Sequence, residues 1–323
     1  MSITRRGMLA TAASTTLLTI PGIARAADKV RIGLPTKTYW PTTIAQTALQ
    51  QKIFDKAGVN AELTIYRGGA EAFEAMAAGA ADLILDAPSL PAAGRTKGVL
   101  SKVVANASMG NFGWQLMVLS KSKLDVQDLN GKKVGITSAG SGSDLLALWT
   151  MQDKKIHFTR VPVGGGGLVP NLLAGNIDAA VVYSPLSFEI SKSGEARMIL
   201  DYAKEVPPNL TAGWIATDKY IQDKPQALQN ALNALYGALD FMRSHRDVTV
   251  KLIAGLYEIP PAIAALEYEN TIMNLETNGD MNAPGIEKEL QLSLDMARLG
   301  GMTNLAPASE IISTQFKIVP TKL

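Results

Sequence analysis

Along this chain the apolar pattern switches between a period of two and a helical period, and the switch recurs. Leu63-Thr64-Ile65-Tyr66 is a β-prone alternating run. The pair Gly68-Gly69 breaks it, and Phe73, Met76 and Ala77 then follow at helical spacing. Gly79 suits the left-handed residue that ends a helix, and Asp82 leads into the apolar run Leu83-Ile84-Leu85. The same order returns 96 residues later. There Phe158-Thr159-Arg160-Val161 is the β-prone run, residues 164–167 are all glycine, and Val169, Leu172 and Leu173 form the helical face. Gly175 is the stop, and Asp178 opens the apolar run 179–183. Strand, helix and strand in that order predict a right-handed βαβ unit with parallel strands.

Each copy is preceded by another strand and a glycine- or serine-rich turn, at residues 29–35 and 132–144. A period near 100 residues is too long for a solenoid and points to duplication of a whole α/β domain, with independent convergence of two βαβ units as the alternative. Gly113-Trp114 and Gly213-Trp214 each open a short strand, and they bracket the second copy. The chain is therefore expected to hold a first lobe over 27–113, a second over 114–213, and a return to the first over 214–323. Strands beginning at Trp114 and Trp214 are the expected hinge. After Lys224 the pattern is helical: Leu228, Ala231, Leu232, Leu235, Leu239 and Met242 share one face. A second helix is expected from Pro260-Pro261. A third carries Ile286, Leu290, Leu294 and Ala297, with Gly300-Gly301 as its stop. Together these predict a helical C-terminal cap on an α/β, doubly wound, two-lobed fold.

The N-terminus changes how the charge is read. Arg5 and Arg6, an uncharged stretch from Met8 to Ile20, and the small-x-small site Ala24-Arg25-Ala26 make residues 1–26 a cleavable export signal. Thr4-Arg5-Arg6-Gly7-Met8-Leu9 resembles a twin-arginine signal, with an ordinary Sec signal as the alternative. The stretch is too short for a membrane span. The whole chain has 31 basic and 29 acidic residues; without Arg5, Arg6 and Arg25 the acids lead by one. That balance argues against nucleic acid or an anionic membrane as partner. The chain has no cysteine and two histidines, His157 and His245. Disulfides, thiolate catalysis and thiolate metal sites are excluded, no metal or cofactor is expected, and a lipid anchor on cysteine is absent.

In parallel α/β sheets ligands sit beyond the carboxyl ends of the strands. Those loops follow Leu34, Tyr66 and Leu85 in one copy and Thr137, Val163 and Tyr183 in the other. Ser138, Ser141, Gly142 and Ser143 precede an apolar-periodic helix, either as an anion-binding turn or as a plain N-cap. Gly164 opens a loop of free backbone N–H groups. Thr36, Lys37, Thr38, Tyr39 and Trp40 offer cation, hydroxyl and ring; Trp40 is equally suited to the lobe core. Arg67 suits a carboxylate or sulfonate, or plain solvent, with Gly68 beside it. Asp86 and Ser89, and Tyr183 and Ser184, occupy matching loops of the two copies.

The segments "LNGKKVGITSAGSGSDLLAL", "LLAGNIDAAVVYSPL" and "AGWIATDKYI" resemble the periplasmic solute-binding proteins of ABC importers in the nitrate/sulfonate/taurine group, related to binders of thiamine-pyrimidine precursors. The resemblance runs from Val30 to about Pro320. It implies a type II periplasmic binding-protein fold, a small ligand held between lobes by hinge closure, a permease partner, a monomer and a periplasmic location. It departs at Ser184, where sulfonate binders often carry Asp or an aromatic residue. A small organic anion, sulfonate or carboxylate, is the expected cargo; a neutral pyrimidine-type vitamin precursor, or a sensing role at a membrane receptor, is the alternative. Catalysis is not expected: pyrimidine synthases that share the fold carry a cysteine-rich motif that this chain lacks, and no Gly-x-Ser-x-Gly elbow is present.

Overall fold

The computed structural model describes residues 28–299 and 301–323. The export signal expected over 1–26, and Gly300, lie outside the described residues. The first lobe opens with β1 (Asp28–Leu34), α1 (Trp40–Gln50), α2 (Ile53–Lys56), β2 (Val59–Ile65), α3 (Gly69–Ala77), β3 (Leu83–Asp86), α4 (Ser89–Arg95) and β4 (Ser101–Ser108). The second holds β5 (Gln115–Leu119), β6 (Lys133–Ile136), α5 (Gly142–Lys154), β7 (Thr159–Pro162), α6 (Leu168–Leu173), β8 (Ala179–Val182), α7 (Leu186–Lys192), β9 (Ala196–Asp201) and α8 (Tyr202–Glu205). The chain then returns through β10 (Ala212–Thr217), α9 (Asp218–Asp223), α10 (Pro225–Ser244), α11 (Arg246–Tyr257), α12 (Pro261–Asn270), α13 (Ile286–Leu299) and α14 (Ala308–Ile311).

The two sheets have one plan. Their orders are β2-β1-β3-β10-β4 and β7-β6-β8-β5-β9. In each the first three strands are parallel and the fourth runs antiparallel to both neighbours. That fourth strand is the one the chain forms on arriving from the other lobe. The crossings are the segments 109–114 and 206–211, not strands. This corrects the expected hinge: Trp114 ends the first crossing, whereas Trp214 lies inside β10, 2 % exposed, in the first lobe's core.

The repeat is physical down to single hydrogen bonds. Gly79 and Gly175 take φ of +75° and +74°, and their N–H groups donate to Met76 O and Leu172 O. Ala80 N–H donates to Ala75 O and Asn176 N–H to Asn171 O, which closes a Schellman turn in both copies. Asp82 accepts the backbone N–H of Arg31, and Asp178 that of Lys133, each at 2.8 Å. Each aspartate thereby ties the start of its strand to the neighbouring parallel strand, β1 in the first lobe and β6 in the second. The buried helix face is Gly69, Ala72, Phe73 and Met76 in the first copy and Gly165, Leu168 and Leu172 in the second. Ala77 and Leu173, expected on those faces, are exposed, and Val169 is half-buried.

All six apolar positions expected on α10, and all four on α13, are buried. Helix α11 is one the pattern does not announce, since Val248, Thr249 and Val250 give it a β-branched start. The cap also reaches beyond the first lobe. Helix α12 packs on α7, and α13 packs on α5, where Ala297 joins Ala87, Leu145 and Leu148 in one small apolar cluster. Among the described residues no single helix is long and apolar enough to cross a membrane.

Candidate ligand-binding cleft

The strand ends of both lobes face each other across a cavity of about 630 Å³, part of it open to solvent. That is the size of small-molecule sites in general. From the first lobe, β1 ends at Leu34 and the chain turns through Pro35 and Thr36. The turn is held by Thr42 Oγ1, which donates to Thr36 O at 2.6 Å. Tyr39 and Trp40 then stand at the start of α1. Strand β3 ends at Asp86, whose Oδ1 accepts the N–H of Ala87 at 2.6 Å. Its carboxyl also takes the N–H of Gly142, from α5 of the opposite lobe. Gly69 makes room for it: a Cβ there would lie 1.0 Å from Asp86 Oδ2.

From the second lobe come the turn before α5 and the end of β8. Thr137, Ser141 and Ser143 hydroxyls lie 2.8–3.0 Å from one another, and Ser143 Oγ also accepts the N–H of Thr137 at 2.9 Å. Ser141 Oγ donates to Ser138 O at 2.7 Å. Ser141 holds the N-cap position, but its hydroxyl makes no cap hydrogen bond, which sets aside the plain N-cap alternative. These hydroxyls are spent on the turn itself, and the free N–H of Gly142 already meets Asp86.

Rings from both lobes converge. Tyr39 lies 5.0 Å from Tyr183, 5.6 Å from Trp114 and 5.4 Å from Trp40, centroid to centroid, and Trp114 lies 5.4 Å from Tyr183. The tilted and edge-on geometries are the favourable ones, each contributing about 0.5–1.5 kcal/mol beyond area burial. Among the described residues that line the cavity there is no Lys, Arg or His, and one carboxyl, Asp86. Burial pushes that carboxyl up to about 7, against the pull of the Ala87 and Gly142 N–H groups. Burial also raises Tyr183, against the hydroxyls of Thr36 and Thr38.

Eight of the sixteen ligand-site residues expected from sequence line the cavity: Thr36, Tyr39, Trp40, Asp86, Ser141, Gly142, Ser143 and Tyr183. Lys37 is exposed and Thr38 half-buried outside the lining. Arg67, with a side chain 87 % exposed, lies with Gly68, Ser138 and Gly164 around a separate opening at the outer lip. Ser89 is buried and reaches the second lobe at Gly140 O, 3.5 Å away. Ser184 is buried against Thr271 of the cap, Oγ to Oγ1 2.8 Å. Sequence reasoning missed Ser108, the last residue of β4, and the lining supplied by the crossings: Gly110, Asn111, Phe112 and Thr211, with Trp114, expected only as a hinge residue, present as a wall. Two aromatics in Asn111-Phe112-Gly113-Trp114, set between two strands that belong to different lobes, were the available signal. Among the described residues no group of three or more His, Cys, Asp or Glu could hold a metal ion.

Two similar α/β lobes, two short crossings and an aromatic cleft between facing strand ends define a two-lobed fold of the type II periplasmic binding-protein class. The chain belongs to the NMT1/THI5-like family, whose model matches residues 43–249. Relatives from Brucella abortus and Brucella melitensis, provisionally described as binding proteins, are 27 % identical over 274 residues, covering 82 % of this chain and 83 % of theirs. The alkanesulfonate-binding protein SsuA of Xanthomonas axonopodis pv. citri, bound to MOPS, superposes with a TM-score of 0.75 at 19 % identity, covering 87 % of this chain and 97 % of that one. The periplasmic nitrate-binding protein NrtA of Synechocystis PCC 6803 gives 0.68 at 11 % identity, covering 90 % and 92 %. At such identities these structures speak for the fold, and they match the sulfonate and nitrate group that the sequence resembles.

Proposed function

We propose that this chain is the exported, periplasmic solute-binding component of an ABC importer, a monomer that closes two lobes over a small ligand and presents the closed form to a membrane permease. Residues 28–108 and 212–323 form one lobe in this reading and 115–205 the other, with no reaction catalysed and no cofactor used. Of the two cargo classes expected from the sequence, the lining favours the second: a small, planar, uncharged nitrogen heterocycle that carries amino donors, such as an aminopyrimidine. The observation that carries this is the pairing of a four-ring aromatic wall with a buried carboxyl and no lining cation. Rings stack on a flat heterocycle, and Asp86 accepts from its amino groups. An organic anion would instead sit beside a carboxyl that ionises near pH 7.

The test is a thermal-shift and calorimetric screen with taurine, alkanesulfonates, nitrate, aromatic carboxylates and aminopyrimidines, on the wild type and on Asp86→Asn. A ligand at 100 times its Kd adds roughly 2.7 kcal/mol of apparent stability. The expected result is an aminopyrimidine hit that Asp86→Asn weakens by about tenfold or more, the loss of one charge-assisted hydrogen bond. An anion hit that strengthens below pH 7, and again in Asp86→Asn, would overturn the heterocycle reading and restore the anion.

A further inference from the structure

The fold buries a second carboxyl outside the cleft lining. Glu267, on α12 of the cap, is 0 % exposed. Neither of its oxygens has a protein hydrogen-bond partner of regular geometry. What faces it is the hydroxyl pair Ser184 and Thr271. Those two hydroxyls are bonded to each other at 2.8 Å, so one of their two protons is already used and at most one is left for the carboxylate. Thr271 follows α12 in the cap, whereas Ser184 follows β8 and moves with the second lobe. The first crossing presses on the same point: a Cβ on Gly113 would lie 2.3 Å from Ser184 Oγ and 3.0 Å from Thr271 Oγ1.

We propose that Glu267 is a positioning residue for lobe closure, whose carboxyl takes up a proton as the second lobe seals it in, so that acid favours the closed form. The inference rests on the hinge-closure part of the proposed function and is independent of the ligand class. A neutral carboxyl can donate to Ser184 or Thr271 and accept from the other; a carboxylate sealed there keeps most of its lone pairs without a donor. Burial pushes Glu267 up to about 7, only partly opposed by the two hydroxyls. The titratable groups that feel its charge are the phenols of Tyr39, before α1, and Tyr257, ending α11. The charged residues of the packed elements are Glu189 and Lys192 on α7, Arg246, Asp247 and Lys251 on α11, and Glu269 on α12 itself. They are exposed or half-exposed, and none acts on this carboxyl.

The sign follows from linkage. The closed form holds the proton up to about pH 7, and an open form that admits water releases it in the ordinary carboxylate range, near 4.3. Between those limits the closed-to-open ratio rises by up to about tenfold for each unit the pH falls, and above about 7 it is flat. The chain has no cysteine, so Ala78→Cys and Ala174→Cys, both exposed and equivalent in the two repeats, accept nitroxide labels on opposite lobes. Double electron–electron resonance on the ligand-free protein at pH 8, 7, 6 and 5 reads the distance between lobes. The expected result is a shift toward the short distance below pH 7 in the wild type. Glu267→Gln should sit at the short distance at every pH. Thr271→Val, which removes a donor to the carboxylate, should move the transition to higher pH. A wild-type distance that ignores pH, or a Glu267→Gln titration identical to wild type, overturns the proposal. So does loss of the response in Asp86→Asn, which would put the proton on Asp86 and leave the cargo reading untouched.

Discussion

Asp86 and Gly69 work as a pair: the carboxyl occupies the space where any other residue at the start of α3 would place its Cβ. Gly69→Ala should therefore push the carboxyl out of its place between the Ala87 and Gly142 N–H groups. The expected outcome is at least a tenfold loss of heterocycle affinity by calorimetry, with a lower melting temperature, since a buried carboxyl without its donors costs about 1–3 kcal/mol. Unchanged affinity would mean that the ligand does not meet Asp86. At this scale the sequence was informative about residue types and misleading about charge. Lys37 and Arg67 stand in loops at strand ends, as expected, yet both point to solvent. Loop position is legible from strand order, but side-chain direction depends on what the opposite lobe brings.

At the scale of elements, the two βαβ copies make a controlled comparison. Gly79 and Gly175 share a φ near +75°, and neither has an atom within 4 Å of where a Cβ would stand. Alanine at either site should then cost the backbone term alone, about 1–2 kcal/mol, and the two costs should agree within error by urea denaturation. A large difference would show that the turns are not equivalent in energy. Elsewhere the copies differ. Asp82 also binds the Arg31 guanidinium, whereas among the described residues Asp178 accepts the backbone N–H of Lys133 and no guanidinium. The elements were largely readable because local period, glycine stops and proline starts all agree along α3, α10 and α13. Helix α11 was not, because its β-branched start is offset by tertiary packing, on α12, α10 and α1.

At the scale of the whole molecule, the lobes touch directly at the lip of the cleft. Gly165 N–H donates to Arg67 O at 2.9 Å, and a Cβ on Gly165 would lie 2.4 Å from Thr36 Cγ2 and 2.6 Å from Tyr183 Oη. Thr36 and Arg67 belong to the other lobe, so that obstruction exists chiefly in the closed form. Gly165→Ala should leave the melting temperature of ligand-free protein within a degree or two, raise Kd by tenfold or more, and keep the liganded radius of gyration at its open value in X-ray scattering. Wild-type affinity in that variant would remove the lip from the closure mechanism. The sequence by itself determined the repeat, the α/β class, the helical cap and most cleft loops, because each follows from short-range periodicity and from residues with narrow backbone preferences. Tertiary structure alone decided the rest. It brought Asp86 to Gly142, Tyr39 to Trp114 and Tyr183, and Glu267 to Ser184, pairs that are 56 or more positions apart. No local pattern encodes such meetings, because they depend on the angle at which two separately folded lobes close.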